Sequence, residues 1–186
     1  VHFGEYNLFG SGLVEGESQI MFIRNIKERV AKVAPFLRLD ADPYPVVVDG
    51  KVEWLVDAFT TTNHYPYAQQ ANIDQLTFGS GLNTGFNYVR NSVKIAVNAY
   101  DGSMKFYVVD ETDPIIKTWQ SVFPKLFTPV SLAPKGLVDH FRYPEDLFRV
   151  QTNTYGRYQF EDATLFFNRN AAWSVAQAPA TEPEGL

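Results

Sequence analysis

The chain has 186 residues, with 16 Lys and Arg against 21 Asp and Glu, a formal charge of −5, and no Cys. A composition of 45% hydrophobic and 20% charged residues excludes disordered and collagen-like chains, and the acidic balance lacks the basic patch that a nucleic-acid interface requires. Without Cys there are no disulfides, thiolate nucleophiles or Cys-ligated metal centres.

The chain begins in an apolar-aromatic stretch, Val1-His2-Phe3-Gly4-Glu5-Tyr6, and ends in a polar Pro-containing run from Ala176. Both ends read as cuts in a longer protein: a soluble section over 1–175, either one domain or two small pseudo-repeat lobes, and a linker over 176–186. No window approaches the roughly 18 apolar residues of a membrane span. Ile23, Ile26, Val30, Val33 and Leu37 share one helical face, which predicts a helix within 18–37 halted at Pro35. Val46–Val48, Asp49-Gly50 and Lys51–Val56 read as a β-hairpin on a type I′ turn. Residues 60–85 form a long polar surface loop. Over 88–100 the residues Val89, Val93, Ala96, Val97 and Tyr100 fit a helix and an alternating strand also fits; the helix is favoured because Asp101-Gly102 supplies a glycine stop. A strand follows at Met104–Val109. Asp113-Pro114 starts the next helix as N-cap and first residue, Pro144-Glu145-Asp146 starts another, and Asp162 caps a last short one through Phe167.

These elements predict an α+β fold of antiparallel hairpin strands packed by four or five amphipathic helices. Trp54, Phe106, Trp119, Phe123, Leu147 and Phe148 are the expected core. The chain also resembles itself: Phe9–Leu13 recurs as Phe78–Leu82, Phe22–Asn25 as Tyr88–Asn91, and Asp49–Trp54 as Asp101–Phe106. Either a helix-strand unit is duplicated, which puts Arg24 and Arg90 at equivalent helical positions, or short glycine motifs coincide.

No catalytic motif stands out. Gly79–Gly85 lacks the Walker lysine and the dinucleotide spacing and reads as a flexible connector. There is no Gly-x-Ser-x-Gly, and His2, His64 and His140 stand alone. No cofactor is expected; Asp40/Asp42 and Asp110/Glu111/Asp113 leave calcium open as a hard cation, although Asp113 already serves as a cap. The remaining candidate is a ligand contact at Asn63, His64, Tyr65 and Tyr67, where tyrosines flank a proline in a form suited to stacking on sugars or on a protein segment.

Several strings resemble the uncharacterised protein family 0182 of bacterial membrane proteins: Arg24–Val30, Ala34–Leu37, Asp42–Gly50, Tyr65-Pro66-Tyr67, Tyr88–Lys94, Tyr100–Gly102, Asp113–Ile116 and Arg142–Phe148. The resemblance implies a bacterial protein with several N-terminal membrane helices and a large extracytoplasmic portion, of which this chain is one section. Its expected partners are then the rest of its own membrane protein and an envelope ligand or protein, with no nucleic acid. The family carries no established activity, so no catalytic residue is transferred. A non-catalytic binding domain is the leading expectation; the alternative is a carboxylate-dependent enzyme on cell-envelope glycan or lipid, which requires two carboxylates with shifted pKa values in a deep cleft.

Overall fold

The computed structural model describes residues 12, 15–18, 23–76, 78–168 and 173–176. Most of the first copy of the glycine motif, His2 and most of the C-terminal run lie outside them. The elements are α1 (Ile26–Val33), β1 (Arg38–Leu39), β2 (Tyr44–Val48), β3 (Lys51–Thr62), β4 (Tyr88–Asn98), β5 (Met104–Val108), α2 (Pro114–Val122), β6 (Phe127–Pro129), α3 (Lys135–Val138), α4 (Glu145–Tyr158) and α5 (Ala163–Asn168). This is the expected α+β class, organised around one six-stranded sheet in the order β1-β3-β4-β5-β6, with β2 also on β3. All neighbours are antiparallel except β5 and β6, which pair in parallel.

The twelve-residue β3 organises the sheet. Its first half pairs with β2 from Val48↔Lys51 to Tyr44↔Leu55, and its second half pairs with β1 at Leu39↔Ala58 and Arg38↔Phe59. The hairpin predicted at Asp49-Gly50 forms, with φ of 50° and 75° at these two residues, the left-handed conformation that a type I′ turn demands.

Residues 88–98 are a strand, not the favoured helix. The reason is burial: positions 92–97 of β4 and 55–60 of β3 are all buried, and a strand covered on both faces loses the alternation that distinguishes it from a helix. Asp101-Gly102 accordingly lies in the turn to β5 rather than at a helix end. The duplicated unit fails on the same point, since Arg24 precedes α1 while Arg90 sits within β4. What the two halves share is an Asp-Gly hairpin turn.

On one sheet face Val56, Ala58, Val93, Ile95, Val97, Phe106 and Val108 pack against Val30 of α1, Ala34 at its C-cap and Ile116 of α2. On the other, Leu55, Ala96 and Tyr107 meet Leu137 of α3, and Phe59 meets Leu82, Phe86 and the α4 residues Leu147 and Val150. Of the expected core, Phe106 and Leu147 are buried and Trp54 and Trp119 pack partly buried. Phe123 and Phe148 are instead more than 40% exposed; Phe123 joins Phe36 and Trp119 in a cluster of nearly parallel rings, of which Phe36 and Trp119 stand 4.0 Å apart.

Asp113 is the N-cap of α2 as its sequence predicts, accepting from the N–H of Ile115 and Ile116. It also accepts from the hydroxyls of Thr60 (2.5 Å), Ser92 (2.6 Å) and Tyr88 (2.7 Å). The β3–β4 register slips between Ala58↔Val93 and Thr60↔Arg90, a bulge that brings Ser92 beside Thr60. Burial pushes the Asp113 carboxyl up, but the hydroxyls of Ser92, Thr60 and Tyr88 outweigh it and hold it below the usual carboxylate range.

The Asp40 and Asp146 carboxylates cap each other's chain. Asp40 accepts from the Asp146 N–H at the start of α4 (3.1 Å), and Asp146 accepts from the Ala41 N–H (2.9 Å). This distant side chain replaces the local N-cap, because Pro144 offers none. Burial, reinforced by the Asp146 charge, pushes the Asp40 carboxyl up to about 6, with the N–H groups of Asp42 and Asp146 opposing it. The folded form therefore holds a proton that the unfolded chain, at 3.8, releases. Its stabilising contribution is complete below pH 4 and is lost as the pH rises through about 6. A carbon-detected titration is expected to show the Asp40 carboxyl turning near pH 6, with the free energy of unfolding falling across that interval; a midpoint near 4 contradicts this.

Candidate functional site

Residues 63–87 join β3 to β4, and Asn87 closes the first part of this connection. Its backbone N–H donates to the Thr62 carbonyl, its Oδ1 accepts from the Tyr65 N–H, and its Nδ2 donates to the carbonyls of Tyr65 (2.8 Å) and Ala68 (3.2 Å). Such a clasp satisfies backbone groups that have no strand partner. Of the four residues singled out in the sequence, Asn63 and His64 are exposed, with the His64 N–H on Thr62 Oγ1. Tyr65 stacks on Tyr88, ring centroids 5.7 Å apart, and Tyr88 in turn donates to Asp113, so half of the tyrosine pair is built back onto the core. Burial and the Asp113 hydrogen bond together push the Tyr88 phenol up to about 12. Tyr67 is fully exposed with φ of 59°, an uncommon backbone for a bulky residue. The four residues do not converge on a cavity by themselves.

A cavity lies next along the chain. Gln69, Gln70, Ala71 and Asn72 form one wall, Phe86, Asn87 and Val89 the floor, and the α4 residues Val150, Asn153, Thr154, Arg157 and Tyr158 the opposite wall, enclosing about 290 Å³. The Ala71 N–H bonds to the Phe86 carbonyl (2.8 Å), and the Tyr158 hydroxyl reaches across to Gln69 Oε1 (2.8 Å). Asn153 Nδ2 is buried without a hydrogen-bond partner among the described residues, an unmet donor at the cleft wall. A second cleft of about 290 Å³ shares Asn72, Asn153 and Arg157 and continues to Trp173 and Val175. The chain crosses α4 there because Gly156 has no side chain: a β-carbon on it would stand 2.5 Å from the Trp173 carbonyl oxygen.

Among the described residues the side chains around the first cleft donate and accept neutral hydrogen bonds, with one guanidinium and no carboxylate. Sequence reasoning singled out Tyr65 and Tyr67 in the preceding loop but missed Asn153 and Arg157. Their one signal was the spacing of four that sets both on one side of α4.

The carboxylates lie elsewhere. Asp40, Asp57, Asp113 and Asp146 are each at most 2% exposed and are engaged by N–H groups, hydroxyls or Lys94. The cluster Asp110/Glu111/Asp113 does not converge, since Asp113 turns inward while Asp110 pairs with Arg90 at 2.8 Å. Among the described residues no three acidic or imidazole side chains group where a metal ion could be held. The glycine segment is no loose connector: it leads to a strand rather than a helix, the Gly81 N–H bonds to the Leu39 carbonyl (2.8 Å), and Ser80 and Leu82 are buried. Without a helix N-terminus behind it, it offers no anion cradle of the phosphate-loop kind.

The model of the Uncharacterised protein family (UPF0182) matches residues 1–184. Similar proteins, each called a UPF0182 protein, are 45% identical over 190 residues in Saccharopolyspora erythraea, 45% over 183 in Desulforamulus reducens and 47% over 191 in Micrococcus luteus. These alignments cover 98–99% of this chain but only 18–20% of the relatives, so the chain spans about a fifth of their length. No solved structure matches, and among the described residues no helix is long and apolar enough to cross a membrane. By the family match and these identities, the chain belongs to the uncharacterised family UPF0182.

Proposed function

We propose that this section is a non-catalytic binding module that takes an uncharged polar ligand, an envelope glycan by chemical class, in the cleft between residues 69–72 and α4. The observation that carries the reading is the cleft wall itself: amides from Gln69, Gln70, Asn72 and Asn153 and the Tyr158 ring, with the Asn153 Nδ2 donor unmet. Sugars present ring faces and hydroxyls, which aromatic rings and amides match. Tyr67, two residues before Gln69 and fully exposed, is the tyrosine left for contact. On this reading the module faces the extracytoplasmic side of a longer membrane protein and works together with the rest of that polypeptide; its coverage of a fifth of the relatives' length supports the second point.

The test is calorimetry and thermal shift with N-acetylglucosamine trimer and maltotriose. One of them is expected to raise Tm. N153A combined with R157Q is expected to weaken binding about tenfold or more, since it removes a buried donor and the guanidinium, and Y67A to weaken it less. No response to either sugar at millimolar concentration overturns the reading, and turnover of a bound sugar replaces it with catalysis.

A further inference from the structure

A separate groove of about 580 Å³ opens between β4 and the segment 141–151. Among the described residues its walls carry three cations, Arg90, Lys94 and Arg142, against the single carboxylate of Asp110, in a chain whose overall charge is −5. Two of these cations are already committed. Arg90 pairs with Asp110 and donates to Thr112, and Lys94 is buried against Asp57.

Arg142 differs. Its carbonyl accepts from Lys94 Nζ (2.5 Å), its N–H donates to the Tyr44 hydroxyl (3.2 Å), and its guanidinium lies 4.4 Å above the Tyr44 ring. Tyr44 is itself buried and donates to the His140 carbonyl. The residue is thus held at three points by groups rooted in the sheet, while its guanidinium hydrogens meet no carboxylate or carbonyl among the described residues. Stacking on a tyrosine fixes the plane of the fork without using its donors. Beside it the Tyr143 hydroxyl bonds Gln151 Oε1 (2.5 Å), which leaves the Gln151 amide N–H groups as further donors in the groove.

We propose that this groove is an oxyanion site headed by Arg142, with Gln151 as second donor, for a phosphate or carboxylate group carried by a ligand. A fixed planar fork suits either group, because both present two oxygens at matching spacing, and an arginine ordered before binding loses little entropy when it binds. The inference stands apart from the glycan reading, since it uses none of the residues of that cleft.

The experiment is an NMR titration of the chain with inorganic phosphate, with acetate and with chloride at constant ionic strength, observing the Arg142 side-chain N–H and the Gln151 amide. Saturable shifts in phosphate alone assign a phosphoryl group, and saturable shifts in acetate extend the site to carboxylates. R142Q is expected to weaken the response about tenfold or more. R142K keeps the charge but not the fork and guards against loss of fold; it is expected to fall between wild type and R142Q. N153A with R157Q is expected to leave the titration unchanged. Equal shifts in chloride, or binding by R142Q within about twofold of wild type, overturn the proposal.

Discussion

Lys94→Met is expected to destabilise the fold by about 3–5 kcal/mol, because it removes one partner of a buried ion pair and leaves the other. Lys94 and Asp57 face each other across β3 and β4 on the sheet face that α3 and α4 cover, and neither side chain is more than 5% exposed. Burial already pushes the Asp57 carboxyl up, opposed chiefly by the Lys94 charge. Without Lys94 only the Asn91 hydrogen bond opposes burial, and Asp57 takes up a proton in the fold that the unfolded chain lacks. The sign follows: the folded state then binds the extra proton, so stability falls as the pH rises above about 4. The deficit of K94M is therefore smallest in acid and grows toward neutrality. Urea unfolding at pH 4.5 and pH 7.5 measures it directly, and a deficit independent of pH would remove the ion pair from the explanation. Replacing both partners, as K94M with D57L, is expected to recover most of the loss, since two apolar side chains leave no buried charge behind. The same substitution also frees the Arg142 carbonyl from its lysine, so the arginine groove is expected to loosen even where the global fold survives.

This pair marks the boundary of what the sequence made legible. Features set by a few adjacent residues were readable: the Asp49-Gly50 turn, the Asp113-Pro114 start of α2 and the Asp162 cap, which accepts from the Thr164 and Leu165 N–H groups. Each is a local hydrogen-bonding solution that operates whatever the tertiary context. Residues 88–98 were misassigned because a central strand with both faces buried loses its alternation, and it carries a lysine in the middle of its buried run. Only the partner on β3 explains why Lys94 is inside. The candidate site divides in the same way. Tyr67 was legible as an exposed aromatic in a polar loop, whereas Tyr65 was not distinguishable from it, since its packing partner Tyr88 lies across the loop. The cleft itself joins residues 69–72 to 150–158, and no local pattern connects two segments so far apart.

Asp113→Ala is expected to cost a comparable amount, about 3–5 kcal/mol, for a different reason. Five donors converge on one carboxylate, and two of them, on Thr60 and Ser92, come from side chains at most 1% exposed. Loss of the helix cap accounts for about 1 kcal/mol; stranding the hydroxyls adds about 1–3 kcal/mol for each that finds no new partner. Thr60 Oγ1 and Ser92 Oγ lie 3.2 Å apart and are able to bond each other once the carboxylate is gone, which limits the total. Asp113→Asn separates the two contributions, because it retains a capping oxygen but offers fewer lone pairs to the hydroxyls, so its cost is expected to lie between wild type and alanine. The pH dependence supplies the sign check. A carboxyl held below its unfolded value of 3.8 contributes stability that is complete above about pH 4 and is lost as the pH falls through the folded value. The penalty of D113N, measured by urea unfolding, should therefore shrink between pH 4 and pH 2. If it stays constant over that interval, the carboxylate charge is not what holds Thr60, Ser92, Tyr88 and the start of α2 together. Because Tyr88 carries Tyr65 on its ring, the same substitution is also expected to release the tyrosine loop. Increased hydrogen exchange at the Tyr65 N–H, now clasped by Asn87, reports that release without any ligand.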